Sequence, residues 1–276
     1  MKYADLHLHT IMSDGLFTPT ELVGYARQKG FAAIAVTDHD TVAGQEEALR
    51  VGRDLGVEVI PGIELSTLDG EKEIHILGYF VERENEYLKG RLAALVGARQ
   101  KRAALMVERL NDMGYGISLE RVQEIAGGDF VGRPHIARAL VEEGYVVNIK
   151  DAFSIELIGR DGAAYVGCIK MDPREGIELV LRSGGVPVLA HPGYLNKGLA
   201  LNEDEIRGYV AFGLQGIEVF YSRHSEEQVR YYEKAAAGHG LLMTGGSDCH
   251  GDSEELLLGT VRLPYSYVEA LKRQKK

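Results

Sequence analysis

Short apolar runs recur along this 276-residue chain, and they keep stopping at a histidine or a carboxylate. Leu6 and Leu8 alternate with His7 and His9, the run 31–36 ends in Thr37-Asp38-His39-Asp40, and 57–60 leads into Pro61-Gly62-Ile63-Glu64. The run 73–79 carries His75, 186–190 ends in His191-Pro192, 216–220 is followed by Arg223-His224, and 241–244 leads to Asp248-Cys249-His250. Continuous apolar runs of this length suit strands buried on both faces. Between most of them lie helical patterns with clear start and stop signals. Thr18-Pro19-Thr20-Glu21 reads as a cap, a first-turn proline and a capping glutamate, with a stop at Gly30; a helix over 43–55 closes at Gly56. Asp172-Pro173 and Ser225 open further helices, and 203–212 and 265–272 are helical in pattern. Seven strands alternating with helices predict an α/β barrel-like fold of parallel strands. Such barrels build their sites at the C-terminal ends of strands, where these polar residues fall.

The alternation lapses between 81 and 165. Helices are predicted over 85–113, 118–125, from Gly132-Arg133-Pro134 to Glu143, and over 148–158. The expected organisation is therefore a barrel formed by 1–80 and 166–276, with an all-helical insert over 81–165 that contributes to substrate binding.

Composition narrows the function classes. A formal net charge of -10 argues against a general nucleic-acid-binding surface, though not against a small anion held by local positive charge. Two cysteines supply no disulfide framework and suit a reducing compartment. With no apolar run near the length of a membrane span and no apolar leader after Met1-Lys2, a cytoplasmic location is expected.

In an extended strand Asp5, His7 and His9 share one face, with the two imidazoles about 7 Å apart along the chain. That spacing lets them share one metal ion or serve two adjacent ones. The full strand-end set is His7, His9, Asp14, His39, Glu64, His75, His191, Asp248 and His250. Six imidazoles and three carboxylates are too many for an acid–base pair. They suit a cluster of divalent ions such as Zn, Mn or Fe with positions left open for water and substrate, whereas a structural zinc site would be closed and rich in Cys. Divalent charge in excess of three carboxylates favours an anionic substrate, and a metal-bound water with its pKa lowered to about 7 supplies a hydroxide nucleophile.

The segments Asp5-Leu6-His7-Leu8-His9-Thr10, Thr37-Asp38-His39-Asp40, Pro61-Gly62-Ile63-Glu64, His75-Ile76-Leu77-Gly78, Ala190-His191-Pro192 and Gly246-Ser247-Asp248-Cys249-His250 resemble, in order, the PHP (polymerase and histidinol phosphatase) phosphoesterases. The resemblance implies a distorted seven-stranded barrel with a trinuclear metal centre. By it, His7, His9, Glu64 and Asp248 hold one ion; Glu64, His75 and His191 a second, with Glu64 bridging; and Asp14, His39 and His250 a third. The segment from Val131-Gly132-Arg133-Pro134-His135 to Leu140, with Gly144-Tyr145, is similar to the group that dephosphorylates nucleoside 3′,5′-bisphosphates, some of which trim short RNA from the 5′ end. At Tyr165-Val166-Gly167-Cys168 the chain departs from that pattern, in which a Pro-Lys pair follows the Val.

The implied function is metal-dependent hydrolysis of a phosphate monoester, the 3′-phosphate of a nucleoside 3′,5′-bisphosphate, with short RNA as a further substrate. The competing readings are a histidinol-phosphate phosphatase and a noncatalytic metal-binding module. No membrane and no obligate protein partner are expected. Arg133 and His135, at a helix start that presents free N–H groups, are expected to bind the phosphate that is not cleaved. Arg223 and His224, just past a strand end, are further candidates for substrate contact. Asp5 either orients a ligand imidazole or binds backbone.

Overall fold

The computed structural model describes residues 2–128, 130–167, 171–195, 200–251 and 257–275; Cys168, where the chain departs from the family pattern, lies outside them. Among the described residues, β1 (Tyr3–Asp5), β2 (Ala33–Val36), β3 (Glu58–Asp69), β4 (Lys72–Tyr79), β5 (Val186–Leu189), β6 (Gly216–Tyr221), β7 (Leu242–Gly246) and β8 (Leu263–Pro264) form one sheet ordered β7-β6-β5-β4-β3-β2-β1-β8. The chain beyond β1 closes the ring against the end of β7. Leu6 N donates to Gly245 O (3.1 Å), Asp248 N to His7 O (2.9 Å) and His9 N to Cys249 O (3.1 Å). These bonds place the His-x-His stretch beside the Asp-Cys-His stretch although some 240 residues separate them in sequence.

Two features depart from a ring of parallel strands. First, β4 runs antiparallel to both β3 and β5. The cause is local: only the turn at Asp69-Gly70 separates β3 from β4, and a tight turn can join antiparallel strands alone. Second, an eighth strand of two residues, β8, lies antiparallel to β1.

The helices over the barrel are built as the start and stop signals predict. In α1 (Pro19–Gln28), Thr18 accepts from Glu21 N while Glu21 reaches back to Thr18 N, a reciprocal cap; α2 (Gln45–Leu55) ends at Gly56 with φ 69°. Leu22, Val23 and Ala26 of α1 and Ala48 and Val51 of α2 bury against Ile34 and Val36 of β2. Full burial of each Leu, Val or Ile side chain among them stabilises by about 1.5–3 kcal/mol. Four more helices complete this layer: α7 (Pro173–Arg182), α8 (Glu203–Ala211), α9 (Glu226–His239) and α10 (Tyr265–Gln274), numbered after the four of the helical segment.

That segment holds α3 (Glu86–Asp112), α4 (Leu119–Ala126), α5 (Arg133–Glu142) and α6 (Ile149–Ala152). Met106, Leu110, Val122, Ile136, Leu140 and Ile158 belong to an apolar core separate from that of the barrel. The long helix α3 serves both: Leu88 and Leu92 in its first turns pack with the barrel core, and its later turns belong to the second one. The helix expected over 148–158 stops after Ala152. Phe153 and Ile155 are exposed, which removes an apolar face, and at Gly159 a Cβ would lie 2.5 Å from the Phe153 and Ser154 carbonyls, so the chain folds back on itself there. No described helix is long and apolar enough to cross a membrane.

Candidate metal centre

Glu64, fully buried on β3, sits at the middle of the rim formed by the strand ends. Its Oε2 lies 3.2 Å from His7 Nε2, 3.2 Å from His9 Nε2 and 3.1 Å from His39 Nδ1. Its Oε1 lies 2.8 Å from His75 Nδ1 and 3.0 Å from His191 Nε2. Asp248 Oδ1 faces His9 Nε2 at 3.1 Å and His7 Nε2 at 3.4 Å, and Asp14 Oδ1 faces His250 Nε2 at 3.3 Å and His9 Nδ1 at 3.9 Å. All nine strand-end residues named from the sequence are brought together here. Three sets have ligand atoms within 4.8 Å of one another: His7, His9, Glu64 and Asp248; His9, Asp14, His39 and His250; and His39, Glu64 and His75. His191 joins through Glu64.

The backbone is strained where it presents these groups. Asp40 (φ 52°), His191 (φ 26°) and Asp248 (φ 56°) are left-handed non-glycine residues just past β2, β5 and β7. Each such conformation costs about 1–3 kcal/mol and persists only where the surroundings impose it.

Opposite charges dominate the electrostatics. Burial raises the Glu64 carboxyl, but His39, His7 and His75 hold it well below the usual carboxylate range. Burial also lowers the His9 ring, yet the carboxylates of Asp248 and Glu64 close beside it carry it up to about 10; for His75, Glu64 and Glu73 overcome burial and raise it to about 9. His39 goes the other way, to about 4, because burial and the neighbouring His9 and His75 outweigh Glu64 and Asp14.

Do these residues fit metal ions? His7 Nε2, both His9 nitrogens, His39 Nδ1, Asp14 Oδ1 and Glu64 Oε2 are buried and lack a hydrogen bond of proper geometry, although their neighbours stand 3–4 Å away. Buried polar atoms are nearly always paired, so a cluster aimed at shared points is a donor set for cations. Imidazole and carboxylate donors suit Zn, Mn and Fe. The residues fit.

Glu218, unnoticed in the sequence, supports the cluster from beneath. It is fully buried on β6, its Oε1 accepts from His7 Nδ1 at 3.0 Å, and its Oε2 accepts from His191 N at 2.9 Å. A carboxylate on Nδ1 fixes the tautomer that leaves Nε2 free to ligate. The sequence signal was an acidic residue between Ile217 and Val219 in an apolar strand. Asp5 takes the backbone role instead, accepting from Ser247 N (2.9 Å) and His7 N (3.3 Å), and burial pushes its carboxyl up to about 7. Asp38 similarly anchors the loop after His9, accepting from Thr10 N, Thr10 Oγ1 and Ser13 Oγ at 2.7–2.8 Å.

The substrate-contact candidates divide. Arg133 lines a cavity of about 430 Å³ that opens from Asp14, His39 and His75 toward the helical segment, together with Arg99, Arg102 and Arg160 and the rings of Phe130, Phe153 and Tyr165. Its guanidinium stands 5.4 Å from the Phe153 ring centre and 5.5 Å from that of Tyr165. His135 on the same helix does not reach that cavity. It is buried, and its Nδ1 accepts from Gly132 N at 3.0 Å, closing the helix start. Arg223 lines a second cavity of about 230 Å³ with Glu64, His191, Tyr221, Asp248 and His250, and donates to Tyr194 OH at 2.9 Å. His224 does not line it: both ring nitrogens are taken by backbone, with Gly193 N donating to Nε2 (3.1 Å) and Nδ1 facing Val219 O (2.9 Å).

Residues 5–161, more than half of the chain, match the PHP domain. The chain belongs to the PHP domain family. Among its relatives, the phosphoribosyl 1,2-cyclic phosphate 1,2-diphosphodiesterase of Eggerthella lenta is 33% identical, over 90% of this PHP chain and 94% of that protein. The 3′,5′-nucleoside bisphosphate phosphatase of Chromobacterium violaceum is 32% identical, over 92% and 89%. A solved structure from Bifidobacterium adolescentis, described as a metal-dependent phosphoesterase, superposes with a TM-score of 0.91 at 32% identity and covers 100% of this chain and 97% of that one. This PHP chain is thus an enzyme, a metal-dependent phosphoesterase with a His, Asp and Glu cluster at its rim.

Proposed function

We propose that this PHP chain hydrolyses the 3′-phosphate of nucleoside 3′,5′-bisphosphates, with 5′-phosphorylated short RNA as a further substrate, using three divalent ions. A neutral imidazole offers one lone pair to one ion, which divides the cluster. His9 Nε2 stands closer to Asp248 and Glu64 than its Nδ1 does to Asp14, so His9 belongs with His7, Glu64 and Asp248. His75 and His191 share Glu64 Oε1, and Asp14, His39 and His250 remain for the third ion. Ions held there would supply an activated water and positive charge on the phosphoryl oxygens.

The observation that carries the substrate reading is the arginine-lined cavity sharing Asp14, His39 and His75 with the cluster. A phosphate at the cluster and a second one in that cavity make a bisphosphate. Arg133 presents a planar fork matching phosphate oxygens, on a helix start whose dipole favours an anion. The aromatic rings beside it give a base or sugar an apolar wall.

The test is kcat/KM for adenosine 3′,5′-bisphosphate, AMP, a 5′-phosphorylated dinucleotide, histidinol phosphate and a phosphoribosyl cyclic phosphate, with Mn added. The bisphosphate should lead. Losing a charged hydrogen bond costs roughly 1.5–3 kcal/mol, so Arg133→Ala should lower kcat/KM for the bisphosphate by about 10- to 100-fold and leave histidinol phosphate nearly unchanged. Equal losses on both would overturn the second-phosphate role. A lead for the cyclic phosphate would transfer the chain to the chemistry named for the Eggerthella relative.

A further inference from the structure

The loop 10–15 carries Asp14, whose Oδ1 is buried and has no hydrogen bond to hold its direction. The backbone that carries it is held at several points. On the barrel side Asp38 holds Thr10 and Ser13. The loop is pressed against His9: a Cβ on Gly15 would lie 2.7 Å from the His9 carbonyl atoms, so only glycine fits. Beyond Gly15, Leu16 N donates to His250 O at 2.7 Å.

The residue that bears the ligand is held from the other side. Arg138, in the middle of α5, donates from Nη2 to the Asp14 carbonyl at 3.1 Å. One turn earlier on the same face is His135. Its Nδ1 accepts from Gly132 N, so in that tautomer Nε2 carries the hydrogen, and the Ser13 backbone lies close enough to favour that proton. One side chain of this helix thus bonds the Asp14 backbone, and a second lies beside that of Ser13. The helix itself is fixed by Ile136, Ala139 and Leu140 in the core of the helical segment.

We infer that α5 is a working part of the metal centre: Arg138, with His135, positions the backbone of Ser13 and Asp14 so that the Asp14 carboxylate faces His250 and His9. The inference rests on the three-ion reading above. It gives the helical segment a second task, completing one of the ion sites. Arg138 is a positioning residue, since it touches only the backbone of the residue that ligates. It also assigns His135 a place in the centre's support in place of the phosphate contact expected from sequence.

The test is Mn²⁺ titration of the full chain, stripped of metal, with bound ions counted by elemental analysis and folding followed by circular dichroism. Arg138→Met keeps the aliphatic stem and removes the donor; Asp14→Asn removes the ligand itself. Both should keep two ions and bind the third about 10- to 100-fold more weakly, the range found when a group supporting a ligand is lost. The double variant should lose no more than Asp14→Asn alone, because the two act on one site. Arg138→Lys, which keeps a cationic donor, should restore much of the affinity. A merely structural role would lower the melting temperature without this selectivity or rescue. Three ions bound with unchanged affinity in Arg138→Met would overturn the inference, and so would an equal weakening of every ion in a folded variant. Fewer than three ions on the unsubstituted chain would overturn the three-ion reading, and the Arg138 role would then stand or fall on whether its variants selectively lose the weakest ion.

Discussion

The barrel rim and the helical segment use polar side chains in opposite ways. At the rim, His7 Nε2, both His9 nitrogens, His39 Nδ1 and Glu64 Oε2 are buried and face one another without hydrogen bonds of proper geometry, on backbone strained at Asp40, His191 and Asp248. Among the described residues of the helical segment, the buried polar side-chain groups find partners within the protein. Arg102 donates to Val166 O at 2.7 Å, Asn111 exchanges bonds with Ile117, and Ser118 and Asn148 cap their helices. Unpaired buried groups and strained residues both destabilise a fold, and natural proteins concentrate them at functional sites. The rim is therefore built for a task that needs cations. The helical segment supplies the charged cavity wall and, through α5, a brace.

That contrast breaks first at Glu64. Its two oxygens face five histidines, so Glu64→Ala should remove more than one ion and lower hydrolysis at least about 1000-fold, since metal charge contributes several kcal/mol to the transition state. Elemental analysis and a phosphate-release assay measure both. A variant that keeps all its ions would show that the rim does not depend on its central carboxylate.

The next effect is at Glu218. Glu218→Gln keeps the shape but replaces the carboxylate that accepts from His7 Nδ1 and His191 N. Metal affinity or kcat should fall by about 10- to 100-fold, less than for Glu64, with folding retained. An unchanged Mn²⁺ affinity would mean that His7 is oriented by its other neighbours.

These two carboxylates also mark what could be read from the chain. Glu64 was legible because it follows an apolar run and a Pro-Gly turn, as the other strand-end residues follow theirs. Glu218 was not, because the strand 216–221 carries it in the interior and nothing local says which histidine it meets. Asp5, two residues before His7 on the same strand face, is open to either role by sequence and ties the Ser247 and His7 backbone. The direction of β4 was equally hidden in its hydrophobic pattern, which is the same for parallel and antiparallel strands; the short turn at Asp69-Gly70 held the clue. His135 and His224 were legible as histidines but not as structural ones. His135 Nδ1 and both His224 ring nitrogens are occupied by backbone groups whose positions depend on the fold.

The smallest effect separates the helical segment's stability from the rim's chemistry. Ser118 Oγ accepts from Arg121 N at 3.0 Å and so caps α4, whose Val122 and Ala126 pack in the segment's core. Removing such a cap costs about 1 kcal/mol, which in a protein of this size lowers the melting temperature by only about 2–4 °C. Ser118→Ala should show that loss and nothing else. Ser118 bonds the Arg121 backbone; α4 meets α5 through the exposed Arg121–Glu142 pair and a shared apolar core, which the loss of one cap leaves in place. Ion count, Mn²⁺ affinity and kcat/KM at 25 °C should match the unsubstituted chain. If the third ion weakens as expected for the Arg138 variants, the brace is the folded segment as a whole, and two side chains on α5 are not enough to explain how Asp14 is held.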